Sequence, residues 1–354
     1  MSESPPKPAT KPATPPAPTR GDPTNAPIWK KAIFLIALVA CATPWVSPPL
    51  ALGIGCVLAL VGVAPFPTQS KAVSRQLIQW CVATLGLLIP LSRLVEVVRE
   101  GFVLALITIV ATFALGVLLA RLLRVGREQT TLLCSGTAIC GGSAIAAVGS
   151  AIQASSSGMA IATGAIFLLN AAGLYLLPII GHALDLSAAQ FGSWAGMAIH
   201  DVSSVSGAAT SYFKDPAQAA IVTEHAMVVK LSRVIWIVPI ALIARAWFMR
   251  ANAAAASAGD SAGAPAQKPK LPVPWLVVLF VAASVLATLV PAIDAYSKDI
   301  RLIARLGFQV ALFLIGSGLS IAAIRAVGWR ALAMATILWI ALAVGSLLVV
   351  MQAA

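Results

Sequence analysis

The sequence predicts an all-α polytopic membrane protein of about ten or eleven transmembrane helices, with inverted repeats and broken helices. Three observations carry that expectation. Apolar residues make up 59% of the chain and Asp, Glu, Lys and Arg only 10%, where a soluble domain would carry roughly a quarter charged residues. Apolar windows of about twenty residues recur along nearly the whole length, each long enough to cross a hydrocarbon core of roughly 30 Å. Between two of these windows lies a run of small and hydroxylated residues, Ser135-Gly136-Thr137-Ala138-Ile139-Cys140-Gly141-Gly142-Ser143, where a lipid-facing helix would carry Leu, Ile or Phe.

Taken from the amino terminus, residues 1–27 are rich in Pro, Ala, Thr and Lys without an apolar period, and are expected to be a disordered cytoplasmic tail. No cleavage-like end follows the tail, and the apolar runs are too many for a signal peptide. Helices are expected at 30–46, 50–64, 75–93, 101–122, 132–152, 157–180, 191–212 and 217–248, a first membrane block spanning 28–250. The Ala-, Gly-, Ser- and Pro-rich stretch 251–271, ending in Lys268 and Lys270, reads as a flexible cytoplasmic loop, although Ala251 to Ala256 can extend the preceding helix by a turn or two. A second block, 272–351, holds helices at 273–291, 303–324 and 330–350 and completes the same transport domain.

Orientation follows from the basic residues. Lys30, Lys31, Lys71, Arg75, Arg121, Arg124, Arg127, Arg245, Arg250, Lys268, Lys270, Arg325 and Arg330 fall on one side of these spans. Arg93, Arg99, Lys214, Lys298, Arg301 and Arg305 fall on the other. The richer side is expected to be cytoplasmic, which puts the amino terminus inside a bacterial plasma membrane and the carboxyl terminus outside. This spread also explains the net charge of +12 without a nucleic-acid partner. The five cysteines, at 41, 56, 81, 134 and 140, sit in apolar surroundings at no zinc-like spacing. They read as packing residues, and no metal or cofactor is expected.

Inverted repetition has a weak echo in the sequence. Leu91-Ser92 is followed by Gly101 and an apolar run, and Leu319-Ser320 by Gly328 and another, in hairpins that would point oppositely. Repeats of that kind support alternating access around a central site.

Three polar clusters interrupt the apolar pattern. In the first, Ser135, Thr137 and Ser143 supply hydroxyls, while Gly136, Gly141 and Gly142 let backbone amides approach a ligand. A helix broken there would present an amino end that favours an anion. Tight packing through small residues is the alternative reading. The second is His200-Asp201-Val202-Ser203, whose charged pair is expected to face a cavity or partner rather than lipid, with Asp201 a candidate for proton or cation coupling and His200 for solute contact. Interfacial placement is the alternative for both. The third is Glu224, His225, Lys230 and Arg233. Lys230 and Arg233 share a helix face, and Lys230, in mid-span, is expected to pair with Asp201, Glu224 or a bound anion. A structural ion pair is the alternative.

Together, the segment 135–145, His200-Asp201-Val202-Ser203 and Val229-Lys230-Leu231-Ser232-Arg233 followed by Pro239 resemble the bacterial YeiH family, for which sulfate export has been proposed. The resemblance runs from about Lys30 to Val350. It implies an inner-membrane protein of ten or eleven helices, distantly like inverted-repeat ion and organic-anion transporters with crossing broken helices. Gly141-Gly142 departs from the Gly-Ala pair of many relatives, and the Pro-rich tail lies outside the resemblance.

The expected function is therefore secondary transport of a small anion, sulfate or an organosulfonate among the candidates, coupled to a proton or sodium, in a chain that contacts lipid and can form homo-oligomers. Substrate contacts are expected from Ser135, Gly136, Thr137, Gly141, Gly142, Ser143, His200, Ser203, Lys230 and Arg233. An anion channel or a non-transporting scaffold is the alternative. Without a P-loop or a recognisable nucleophile, base and orienting group, neither ATP-driven transport nor enzymatic activity is expected.

Overall fold

The computed structural model describes residues 26–257, 275–318 and 327–352, and among them every regular element is a helix. Most of the amino-terminal tail, 258–271 of the expected loop, and Leu319-Ser320 of the sequence echo lie outside the described residues. Proline punctuates the early elements. Helix α1 is Ile28–Cys41; α2, Pro48–Leu60, and α3, Pro67–Gly86, each begin with proline, whose missing N–H is one that the first helical turn leaves unbonded anyway.

Helix α4, Leu91–Leu123, differs from the expected pair 75–93 and 101–122. The break falls at Leu87–Pro90, and the charged stretch after it is helical, with Arg93 paired to Glu96 one turn on at 2.7 Å. Pro90 occupies the N-cap position, so the chain restarts its helix there rather than at Gly101. The expected helix at 217–248 is likewise two, α10 (Pro216–Val234) and α11 (Ile237–Ser257), interrupted at Ile235-Trp236. Pro239 has no N–H to donate to the carbonyl of Ile235, four residues earlier. Helix α11 runs on to Ser257, through the turns the sequence allowed it.

The two polar clusters in the expected spans 132–152 and 191–212 break their helices, and each chain segment then turns back. The first becomes α5 (Arg127–Ala138) and α6 (Gly142–Ala151). A Cβ on Gly149 would lie 3.4 Å from Leu132, and Glu128 Oε1 accepts from Ser155 N at 3.1 Å and Ser155 Oγ at 2.7 Å. Residues 128 and 155 would be about 40 Å apart in one continuous helix, so α5 and α6 are antiparallel arms of a hairpin. Ser155 also caps the next helix, α7 (Ser156–Ala183), by accepting from Gly158 N.

The second cluster forms α8 (Ala188–Ala198) and α9 (Val202–Tyr212), again a hairpin. Tyr212 stacks on Phe191 with ring centroids 3.6 Å apart and on His182 at 4.2 Å, and its hydroxyl donates to Leu186 O. The open end of the first hairpin is thus at the amino end of α7, and that of the second at its carboxyl end. The hairpins enter from opposite faces. This corrects the expected spans at 132–152 and 191–212: two segments counted as crossings are re-entrant.

Around this centre, α12 (Trp275–Leu289), a 3-10 turn at Pro291–Tyr296, α13 (Ser297–Ser317) and α14 (Trp329–Gln352) complete the described chain. Helix α13 packs so closely on α2 that a Cβ on Gly55 or Gly316 would run into the other helix's backbone. The turn between α1 and α2 is held by Gln309 of α13, whose Nε2 donates to the carbonyls of Thr43 and Val46 at 3.1 and 2.6 Å. Among the described residues, five stretches are long and apolar enough to cross a membrane: Phe102–Leu123, Ser156–Ala183, Ala217–Arg250, Pro291–Ser317 and Trp329–Gln352. Large apolar side chains such as Ile36, Leu118, Leu122, Ile179 and Ile303 point outward, as lipid contact requires.

The hairpins make a topological prediction. In a cysteine-free background, impermeant thiol reagents applied to oriented vesicles should label Ser157→Cys from the same face as Arg121→Cys, and Ala183→Cys from the opposite face. Spanning helices at 132–152 and 191–212 would reverse both new positions relative to Arg121→Cys.

Candidate functional site

The hairpin tips meet beside α10. Helix α5 ends at Ala138, and Gly141 turns the chain with φ 69 and ψ −127, a conformation of the first central residue of a type II′ turn, where glycine is favoured. A Cβ at Gly141 would sit 3.2 Å from Ile166 of α7 and 3.3 Å from His200 Cβ in the second tip. The requirement for glycine there is both dihedral and steric.

Each tip leaves backbone groups that no helix can satisfy, and neighbouring side chains supply the partners. Arg233 donates from Nε to Ala138 O at 3.0 Å and again from Nη2, closing the end of α5. Lys230 donates from Nζ to Ile199 O at 2.6 Å, and Trp339 of α14 from Nε1 to Ala198 O at 2.9 Å, closing the end of α8. Three residues apart on one helix face, the two cations divide the two tips between them. They also meet the negative ends of two helix dipoles. On the amide side, Asn170, midway along α7, accepts from His200 N at 3.1 Å and Asp201 N at 3.0 Å through Oδ1. Hydrogen bonds to charged groups stabilise by about 1.5–3 kcal/mol, and a stranded buried group costs about as much.

The remaining polar groups face the junction or their own helices. Asp201 accepts from Ser203 N at 3.1 Å and from the Ser203 hydroxyl, and so caps α9; its side chain is half-buried. Helix α6 has no side-chain cap, and its amino end is the least covered part of the tips, with Gly142 partly exposed and Ser143 exposed. Ser143 lies 2.8 Å from Cys140 Sγ. Ser135 donates to Thr131 O within α5, and Gly136 packs against Ile145 and Ile166, so both serve the hairpin's own packing. Thr137 Oγ1, both ring nitrogens of His200, and Arg233 Nη1 are buried without a hydrogen-bond partner among the described residues.

One expectation about Lys230 is corrected. Its partner is a backbone carbonyl, and among the described residues no carboxylate pairs with it. Glu224 instead pairs with Arg301 at 3.2 Å, at the end of α10 away from the tips. Asn170 and Trp339 were not singled out from the sequence. Asn170 was visible as a lone amide inside the apolar run 157–180, whereas nothing local distinguishes Trp339 from an interfacial tryptophan. An apolar recess of about 540 Å³ between α4, α10 and α12, lined by residues such as Leu94, Phe102, Leu231 and Phe280, contains none of the tip residues.

Comparison with known proteins covers the same region. The family model described as conserved hypothetical protein 698 matches residues 33–335. The chain is 36% identical to a UPF0324 membrane protein of Vibrio vulnificus (strain CMCP6) over 314 residues, 89% of this chain and 96% of that one. To the UPF0324 membrane protein of Bacteroides thetaiotaomicron it is 35% identical over 305 residues, 86% of each chain. To that of Geobacter sulfurreducens it is 35% identical over 311 residues, 88% of this chain and 93% of the relative. No solved structure matches.

The tip geometry separates two adjacent glycines. Gly141→Ala should lower stability by about 1–3 kcal/mol, read as a fall in melting temperature of the detergent-solubilised protein. Gly142→Ala, whose added Cβ would have only Phe167 at 3.8 Å, should change it little. Equal tolerance of both would contradict the tight junction.

Proposed function

The chain belongs to the conserved hypothetical protein 698 family, the UPF0324 membrane proteins, and on that premise we propose that it is a secondary carrier of a small anion, with the paired hairpin tips as its substrate site. The observation that carries this reading is the meeting of two oppositely entering hairpins beside two buried cations that have no acid partner among the described residues. Lys230 is 0% exposed and Arg233 1%. A cation held away from water is expensive unless compensated, and an anion in contact with both would compensate.

Several groups can take part. The uncapped amino end of α6 offers backbone amides, as helix amino ends do for anions. Thr137 Oγ1, Arg233 Nη1 and the His200 ring add unused hydrogen-bonding capacity at the buried junction. Gly142, Ser143 and Ser203 border it. Ser135 and Gly136 contribute by shaping the hairpin.

The architecture also suits access from either side. One hairpin opens toward the face that carries Arg121, Arg124 and Arg127, and the other toward the opposite face. Rocking of either arm would expose the same junction to a different face, as in carriers built from inverted repeats. The excess of basic residues on the first face supports a cytoplasmic placement for it. Sulfate, a sulfonate and a carboxylate share the required negative oxygen edge.

Purified protein should gain several degrees of melting temperature from at least one of sulfate, methanesulfonate or acetate, as a ligand of the folded state does by mass action. In proteoliposomes that anion should enter with saturable kinetics and exchange against itself. Folded Lys230→Met should lose both effects. Non-saturating flux would favour a channel, and no stabilisation by any of the three with no flux would favour a scaffold.

A further inference from the structure

We propose that the recess between α4, α10 and α12 holds one acyl chain of a phospholipid whose headgroup, a phosphate joined to a primary ammonium as in phosphatidylethanolamine, lies on Arg99 and Glu96 of α4. This second site is away from the hairpin tips and is independent of what the carrier moves.

The recess has the shape of a groove for one chain. Its floor is buried, with Leu94 of α4 6% exposed, Leu231 of α10 3% and Phe280 of α12 1%, while at its rim Val95 is 58% exposed and Phe102 45%. Between Leu91 and Phe102, which both line it, α4 advances about 16 Å. That is close to the depth of one leaflet, half of a hydrocarbon core of roughly 30 Å. A helix of the same length, about 10 Å across, would fill more than twice the groove's volume of about 540 Å³. Because α4 runs from Leu91 toward Arg121, the groove lies in the half of the membrane opposite Arg121.

The groove is also held open. At its outer end Leu91 N donates to Thr288 Oγ1 at 2.9 Å, and Ser284 Oγ donates to Ile89 O at 2.6 Å. These bonds pin α12 to the start of α4, so the site exists before its occupant arrives.

The headgroup is set by the ridge beside the groove. Val95 and Arg99 line both the apolar groove and a second recess, which adds Ser92 and Glu96. Arg99 is exposed and has no hydrogen bond or ion pair among the described residues. Glu96 gives Oε2 to Arg93 at 2.7 Å, which leaves Oε1 as an acceptor. Three residues apart on a helix, Glu96 and Arg99 have Cβ atoms about 5–6 Å apart, and an ethanolamine headgroup separates its phosphate and ammonium by two carbons. The guanidinium takes the phosphate edge, the carboxylate takes the ammonium, and the Ser92 hydroxyl can donate to a further phosphate oxygen. A headgroup without an ammonium leaves Glu96 facing a phosphate, and a quaternary ammonium has no N–H for it to accept.

The test counts lipids on the full-length protein by native mass spectrometry in mild detergent, with phosphatidylethanolamine, phosphatidylglycerol and phosphatidylcholine of identical chains added in equal amounts. The wild type should hold one phosphatidylethanolamine per chain in preference to the other two, and its melting temperature should rise with that lipid by mass action. Arg99→Gln should weaken this binding about tenfold, as loss of a hydrogen bond to a charged group does. Glu96→Gln should abolish the preference over phosphatidylglycerol. Val281→Trp, which fills the groove from its rim, should abolish the bound lipid while leaving the melting temperature in lipid-free detergent unchanged. Glycerophosphoethanolamine, the headgroup without chains, should not stabilise the protein.

Equal binding of the three lipids, unchanged by Arg99→Gln, would mean ordinary surrounding lipid and overturn the proposal. Phosphatidylethanolamine retained at full affinity by folded Val281→Trp would place it outside the groove and overturn it too. So would a lipid-free dimer that Val281→Trp dissociates, since the occupant would then be a second copy of the chain, or stabilisation by glycerophosphoethanolamine equal to that by the lipid.

Discussion

Backbone groups at the two hairpin tips have to find partners without water, and the rest of the molecule is arranged around that requirement. A helix that stops inside a membrane strands its last carbonyls, and the next helix strands its first amides. Here the carbonyls of Ala138, Ala198 and Ile199 are taken by Arg233, Trp339 and Lys230, and the amides of His200 and Asp201 by Asn170. Helix α10 therefore lies across both tips, α7 runs between the hairpins with its amide at mid-length, and α14 closes the remaining side. Gly141 is needed because the chain reverses in contact with the other tip.

Such a centre differs from an apolar core in how it can rearrange. Interdigitated side chains resist small displacements, whereas a hydrogen bond from a cation to a carbonyl can be exchanged for one to an anion. Lys230 and Arg233 each hold the tip of a different hairpin, and the hairpins open to different faces. Under the proposed function, an anion that competed for one cation would loosen the tip it holds. A ligand shifts such an equilibrium only through its different affinity for the two packings, and that competition would supply the difference.

The sequence marked the two helix breaks more readily than the path of the chain through them. Small and hydroxylated residues at 135–143 and the polar group at 200–203 marked both tips, because lipid-facing helices do not carry such runs. The fold-back was hidden: residues 152–155 and 184–187 contain no Lys or Arg, so counting basic residues could not assign those loops to a face. Turning two crossings into two hairpins also leaves every later segment on its expected side, and no inconsistency appeared downstream. The partner of Lys230 was hidden for a different reason. A search for buried-cation partners looks for acids, while a carbonyl freed by a helix break exists only once the break does. Asn170, by contrast, was legible in principle as the one amide in an apolar span.

Cys140, a native residue at the first tip and 1% exposed, offers the most direct test that both faces reach this junction. In protein retaining only that cysteine, reconstituted with known orientation, a small membrane-impermeant thiol reagent should label it slowly from either face, at rates that change with a stabilising anion. Labelling from neither face, or from one face under every condition, would contradict a carrier whose two hairpins share a single site.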